Sequence, residues 1–183
     1  MLHCSLLSLG CVFGFSPPPQ TERLTALRAL KIAQRRLRPD VRSRLLSVTS
    51  SRSQGGLEPE AWRFVFFDAG TSGKSRAVTV AARTSSEHPD TVEAFSSARG
   101  EPVTGLQVIP QARWTIDSDA ALNKIREETK LRGVRSARYR LDRSRTGAEA
   151  TWLIEFFGDG DEVVASFHID ARTGELSRLA VAA

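Results

Sequence analysis

Thr151–Leu176 reads TWLIEFFGDGDEVVASFHIDARTGEL, and its alternation decides how the chain around it is read. Trp152, Ile154 and Phe156 recur at every second position, as do Val163, Ala165, Phe167 and Ile169. That is the spacing of two strands that each bury one face. Gly158, Asp159, Gly160 and Asp161 supply turn chemistry between them, which predicts a β-hairpin. Asp170 to Gly174 closes the second strand, with Gly174 standing where a positive φ costs least. A last short strand is expected over Leu176–Val181.

Upstream of the hairpin, Ala137, Tyr139 and Leu141 alternate on a strand predicted for Arg135–Asp142. Before that strand, Ala121, Leu122, Ile125 and Thr129 mark the buried face of a helix that opens at Asp117 or Ser118 and ends at Gly133. The same order of elements occurs about ninety residues earlier. Thr21–Arg38 is predicted to be a helix, buried through Ala26, Leu30, Ala33 and Leu37 and stopped by Pro39 and Asp40. A strand over Arg44–Ser50 follows. Trp62, Phe64 and Phe66 then alternate towards a turn at Ala69–Gly73, and Val78 and Val80 lie on the return strand. Trp62–Phe67 (WRFVFF) aligns with Trp152–Phe157 (WLIEFF), and Ala82–Thr84 with Ala171–Thr173. The expected fold class is α+β, as two tandem helix-plus-antiparallel-sheet units with each sheet covered by one helix. The expected division is a leader over 1–19, a first repeat over 20–86, a connector over 87–113 and a second repeat over 114–183. Strand-like pieces at Thr91–Phe95 and Thr104–Ile109 of the Pro- and Gly-bearing connector would extend or bridge the sheets.

Two stretches carry a family resemblance. Ile116–Leu122 at the helix start and Ile169–Glu175 at the closing turn resemble the PepSY domain, whose last long strand runs into an Asp-Ala-x-Thr-Gly turn. The first copy departs from that pattern, with Ala81 and Ser85 where the second has Asp170 and Gly174, and so resembles a diverged PepSY repeat. The resemblance implies a non-catalytic, exported module of the kind found in peptidase propeptides and envelope proteins. A peptidase or another envelope protein is then the expected partner, and the location is extracytoplasmic (periplasmic, secreted or envelope-anchored). An inhibitory or peptide-binding role towards peptidases has been proposed for the family, and it offers no catalytic residues to carry over. Asp170, Thr173 and Gly174 are expected to form the family turn.

Met1–Phe15 carries no Lys, Arg, Asp or Glu, and Pro17, Pro18 and Pro19 follow it. It reads as the apolar part of an export signal. Gly10 before Cys11 also resembles a lipoprotein box, with Ser8 where that pattern has Leu, which makes Cys11 the candidate lipidation site. A buried N-terminal segment is the third reading. No apolar run approaches the ~18 residues of a membrane-spanning helix.

Cys4 and Cys11 are the only cysteines, so the body of the chain has neither a disulfide framework nor a Cys-based zinc site. His88 is isolated, and His168, between Phe167 and Ile169, should point off the apolar face. Asp159, Asp161 and Glu162 crowd one turn without the distal Glu of an EF-hand. With no Ser/His/Asp or Cys/His set and no phosphate-cradling Gly loop, the chain reads as non-enzymatic, without metal or cofactor. Trp62 and Trp152 are read as core residues rather than ligand platforms.

The net charge is +5 and the sequence pI about 9.9. Arg35, Arg36, Arg38, Arg42 and Arg44 form a basic run that Arg135 and Arg138 echo in the second copy. These residues are the candidate basic binding surface. They leave open a second function, binding of nucleic acid or of an anionic surface, although no recognised nucleic-acid motif accompanies them.

Overall fold

The computed structural model describes residues 23–83, 91–97, 105, 107–143 and 149–179. The leader with Cys11, and also His88 and Ser85, lie outside the described residues. Helices α1 (Ala26–Gln34) and α2 (Pro39–Arg42) lead into strands β1 (Leu45–Ser50), β2 (Ala61–Phe67), β3 (Ser75–Arg83) and β4 (Thr91–Ser97). A single 3-10 turn at Gln111–Arg113 precedes α3 (Ser118–Glu128), and β5 (Ser136–Asp142), β6 (Thr151–Phe157), β7 (Val163–Asp170) and β8 (Leu176–Leu179) follow.

All eight strands belong to one antiparallel sheet in the order β4-β3-β2-β1-β5-β6-β7-β8. This corrects the expectation of two units, each with its own helix-covered sheet. Taken alone, each half would be four strands ending at β1 or β5, with a row of unpaired N–H and C=O groups along that edge. Pairing β1 with β5, Ser47 opposite Asp142 and Thr49 opposite Arg140, removes both edges together. The contact continues past the paired residues through serine side chains. Ser50 Oγ accepts the Tyr139 N–H at 2.9 Å, and Ser53 Oγ accepts the Ala137 N–H at 2.9 Å. Neither helix covers a sheet of its own; both contribute to a single buried cluster on one face of the joined sheet.

The internal repeat survives this correction as an approximate two-fold relation across the β1–β5 seam. Trp62 and Trp152, at matching positions of β2 and β6, are both fully buried, with ring centroids 6.1 Å apart. Trp62 Nε1 donates to the Leu24 carbonyl at 2.7 Å, and Trp152 Nε1 to the Ile116 carbonyl at 2.9 Å. Leu24 and Ile116 each stand immediately before a helix N-cap, Thr25 and Asp117. The same indole therefore anchors the start of the same helix in both halves. Trp114 and Tyr139 complete an edge-to-face cluster around Trp152, at 5.6 and 6.4 Å.

The helices start head to head. Asp117 caps α3 by accepting the Ser118 N–H at 2.7 Å, and the same Oδ1 accepts the Leu27 N–H at 3.0 Å. Ser118 Oγ accepts the Ala26 N–H at 3.1 Å. The helix predicted over Thr21–Arg38 is shorter, because Arg35 ends α1 and Pro39 takes the first position of α2, where its missing N–H is harmless. Likewise α3 ends at Thr129, ahead of Gly133, whose φ of +68° belongs to the following loop. Strand β4, within the stretch read as connector, pairs with β3 as β8 pairs with β7, and so completes the first half.

Candidate functional site

Asp170, Thr173 and Gly174 are brought together in one tight turn. Asp170 Oδ1 accepts the N–H groups of Thr173 and Arg172 at 2.7 and 2.9 Å, and the Gly174 N–H returns to the Asp170 carbonyl at 2.8 Å. Burial works to raise the Asp170 pKa, but those N–H groups outweigh it and hold the carboxyl below its ordinary 3.8. Gly174 has a φ of +73°, and a Cβ there would sit 2.7 Å from Lys124 Cε of α3. Among the described residues, the Asp170 carboxylate bonds only within the turn, so its chemistry there is that of a fold element.

The candidate basic residues do not form one surface. Because β1 and β5 run antiparallel, Arg44 precedes β1 at one end of the sheet and Arg135 precedes β5 at the other, about 20 Å away along the strands. Most of them also have partners within the chain. Arg38 and Arg76 grip the buried Asp68 at 3.0 and 2.9 Å. The Arg76 hydrogen bond, the Gly70 N–H and the charge of Arg38 lower the Asp68 pKa against the pull of burial. Arg42 Nε donates to the Leu37 carbonyl at 2.8 Å, and the Arg44 guanidinium lies 5.7 Å over the Phe67 ring. Arg135 pairs with Asp159 at 3.1 Å and Arg138 with Glu155 at 2.8 Å. Arg35 and Arg36 are exposed and form no ion pair among the described residues. Trp62 and Trp152 are core residues with no exposed ring face.

A site absent from the sequence reading lies at the Arg135 end of the seam. There the β1–β2 loop, the start of β5 and the β6–β7 turn surround an open cleft of about 690 Å³. Arg52 forms one wall. Its Nε bonds Ser136 Oγ at 2.7 Å, Nη1 bonds Asp161 at 2.5 Å and Nη2 bonds the Gly160 carbonyl at 2.6 Å. Its guanidinium lies 4.4 Å over the Phe157 ring. Gln54, Gly55 and Gly56 also line the cleft, and Gly55 has a φ of +79°. Leu57 and Val134 supply the apolar lining. Among the described residues, nothing bonds the N–H groups of Gln54, Gly55 or Gly56, or the carbonyls of Arg52 or Arg135. All five of these residues line the cleft.

No family model, characterised protein or solved structure matches the chain.

Among the described residues, no three His, Cys, Asp or Glu side chains converge as metal ligands, and no helix is long and apolar enough to cross a membrane. A second charged cluster flanks the Asp170 turn. Arg113 and Arg172 both bond Glu149 Oε1 at 3.0 Å, while buried Oε2 has no hydrogen-bond partner among the described residues. The sequence held one signal for the cleft, the Gly55-Gly56 pair with Arg52 close by. It held none for the approach of the β6–β7 turn.

Proposed function

We propose that the chain is a non-catalytic, exported, PepSY-like binding module that engages a peptidase or another envelope protein. The observation that carries the binding role is the cleft at the seam, which both halves line, several of its residues having backbone groups without a hydrogen bond among the described residues. Export rests on the charge-free apolar Met1–Phe15, and the PepSY likeness on Ile116–Leu122 and the Asp170–Glu175 turn. The nucleic-acid reading draws less support, because the two arginine runs lie at opposite ends of the sheet and five of the seven candidate arginines have partners within the chain. A nucleic-acid binder gathers its cations into one footprint.

Fractionation of cells making the native protein, with sequencing of its mature N-terminus, tests this reading. The expected result is recovery from the envelope or the medium, with cleavage after the apolar segment or lipidation at Cys11. Crosslinking in that fraction should then capture a peptidase or an envelope protein. Recovery from the cytosol with Met1 intact overturns the export reading.

A further inference from the structure

The two-fold relation between the halves makes the two ends of the seam comparable, and they differ in one respect. Leu45, opposite Phe66, and Ala137, opposite Phe156, are matching positions at the starts of β1 and β5. At the β1 end a piece of the chain itself lies across the strand. The Ile109 N–H donates to the Leu45 carbonyl at 2.7 Å, and the Gln107 N–H to the Arg143 carbonyl at 3.3 Å. Gln111 Nε2 donates to the Arg42 carbonyl at 2.9 Å, and Ile109 is fully buried. At the β5 end only the first of these contacts has a counterpart, the Ser53 N–H on the Ala137 carbonyl at 3.0 Å. Arg52, which follows β1 as Arg143 follows β5, and Arg135, which precedes β5, both border this end, and among the described residues neither carbonyl accepts a hydrogen bond. The space beside them is the 690 Å³ cleft.

We propose that this cleft binds an extended peptide segment whose backbone reaches the Arg52 carbonyl, as that of Gln107 reaches the Arg143 carbonyl at the other end of the seam. The peptide backbone takes hydrogen bonds from the N–H groups of Gln54, Gly55 and Gly56 and donates to the carbonyls of Arg52 and Arg135. Backbone bonding of this kind supplies affinity, and side-chain pockets supply preference. Leu57 and Val134 suit an aliphatic side chain such as that of Ile109. Arg52 and Arg135 are already matched by Asp161 and Asp159, so an uncharged segment fits without leaving a charge unpaired. The inference depends on the chain being a binding module, but not on its export.

The test titrates acetylated, amidated Gln-Val-Ile-Pro-Gln peptide into the isotope-labelled full chain and follows its amide resonances. Saturable shifts at millimolar peptide or below are expected at Gln54–Leu57, Val134–Ser136 and Gly158–Asp159. The Gly56→Trp variant should weaken binding by roughly tenfold or more. Gly56 has no positive φ, and a Cβ there meets nothing within 4 Å, so the bulk enters the open space. Absence of saturation, shifts confined to residues around Leu45 and Arg42, or unchanged affinity in a folded Gly56→Trp chain would each overturn the proposal. Should the variant fail to fold, the shift map of the unaltered chain decides alone. Cytosolic recovery in the fractionation experiment would remove export and leave this titration unaffected.

Discussion

Asp68 sits at the end of β2 with its side chain 1 % exposed, and three groups hold its charge: Arg76, Arg38 and the Gly70 N–H. Its pKa is lowered, as is that of Asp170. A carboxyl with a depressed folded-state pKa stabilises the fold fully above the unfolded value of 3.8, and that contribution disappears as pH falls through the folded value. The urea midpoint of the protein should therefore hold steady near neutral pH and drop below about pH 4. Asp68→Asn should be less stable at neutral pH, since Arg76 and Arg38 lose their counter-charge, and its midpoint should fall less steeply in acid. Parallel pH profiles for the two proteins would remove Asp68 from the account.

At the scale of elements, one carboxylate serves two helices. Asp117 Oδ1 caps α3 and also accepts the Leu27 N–H near the start of α1, so the positive ends of both helix dipoles converge on it. Asp117→Ala should cost about 2 kcal/mol or more, beyond a single cap of about 1 kcal/mol, because two N–H groups lose their acceptor. Denaturant unfolding measures it, and a loss of a few tenths would show that water replaces the cap. The strands were legible where they have one buried face. WRFVFF and TWLIEFF announce their period directly, and β2 and β6 fall where the alternation puts them. What stayed illegible was which strand neighbours which. LLSVTS of β1 is buried on both faces, at five of its six residues, so it shows no clean alternation. That pattern marks a central strand but names no partner. The asparagine-free turn at Asp170–Gly174 was readable because its chemistry is local. The cleft was not, because it depends on Arg52 meeting a turn 109 residues away.

The whole molecule is a pair of halves that share one core. Trp62 of the first half lies edge-on to Tyr139 and Trp152 of the second, 5.8 and 6.1 Å away, and the β1–β5 seam closes both open edges. Separation would expose a strand edge and an aromatic face on each piece. A fragment spanning 105–183 should therefore lack a cooperative unfolding transition by itself and regain one when mixed with 1–104. Calorimetry of the fragment alone provides the check, and a sharp transition from a monomer would show that the halves are independent. The approximate symmetry also explains why a repeat plain in sequence does not yield two domains: matching edges can pair with each other as readily as with copies elsewhere.

All three tryptophans of the chain meet at this seam, Trp62 and Trp114 each within about 6 Å of Trp152. Excitation absorbed by any of them passes among the others before it is emitted. The intrinsic fluorescence of the protein is thus a single-point gauge of the junction, silent to events at the outer strands and responsive to whatever pries the two halves apart.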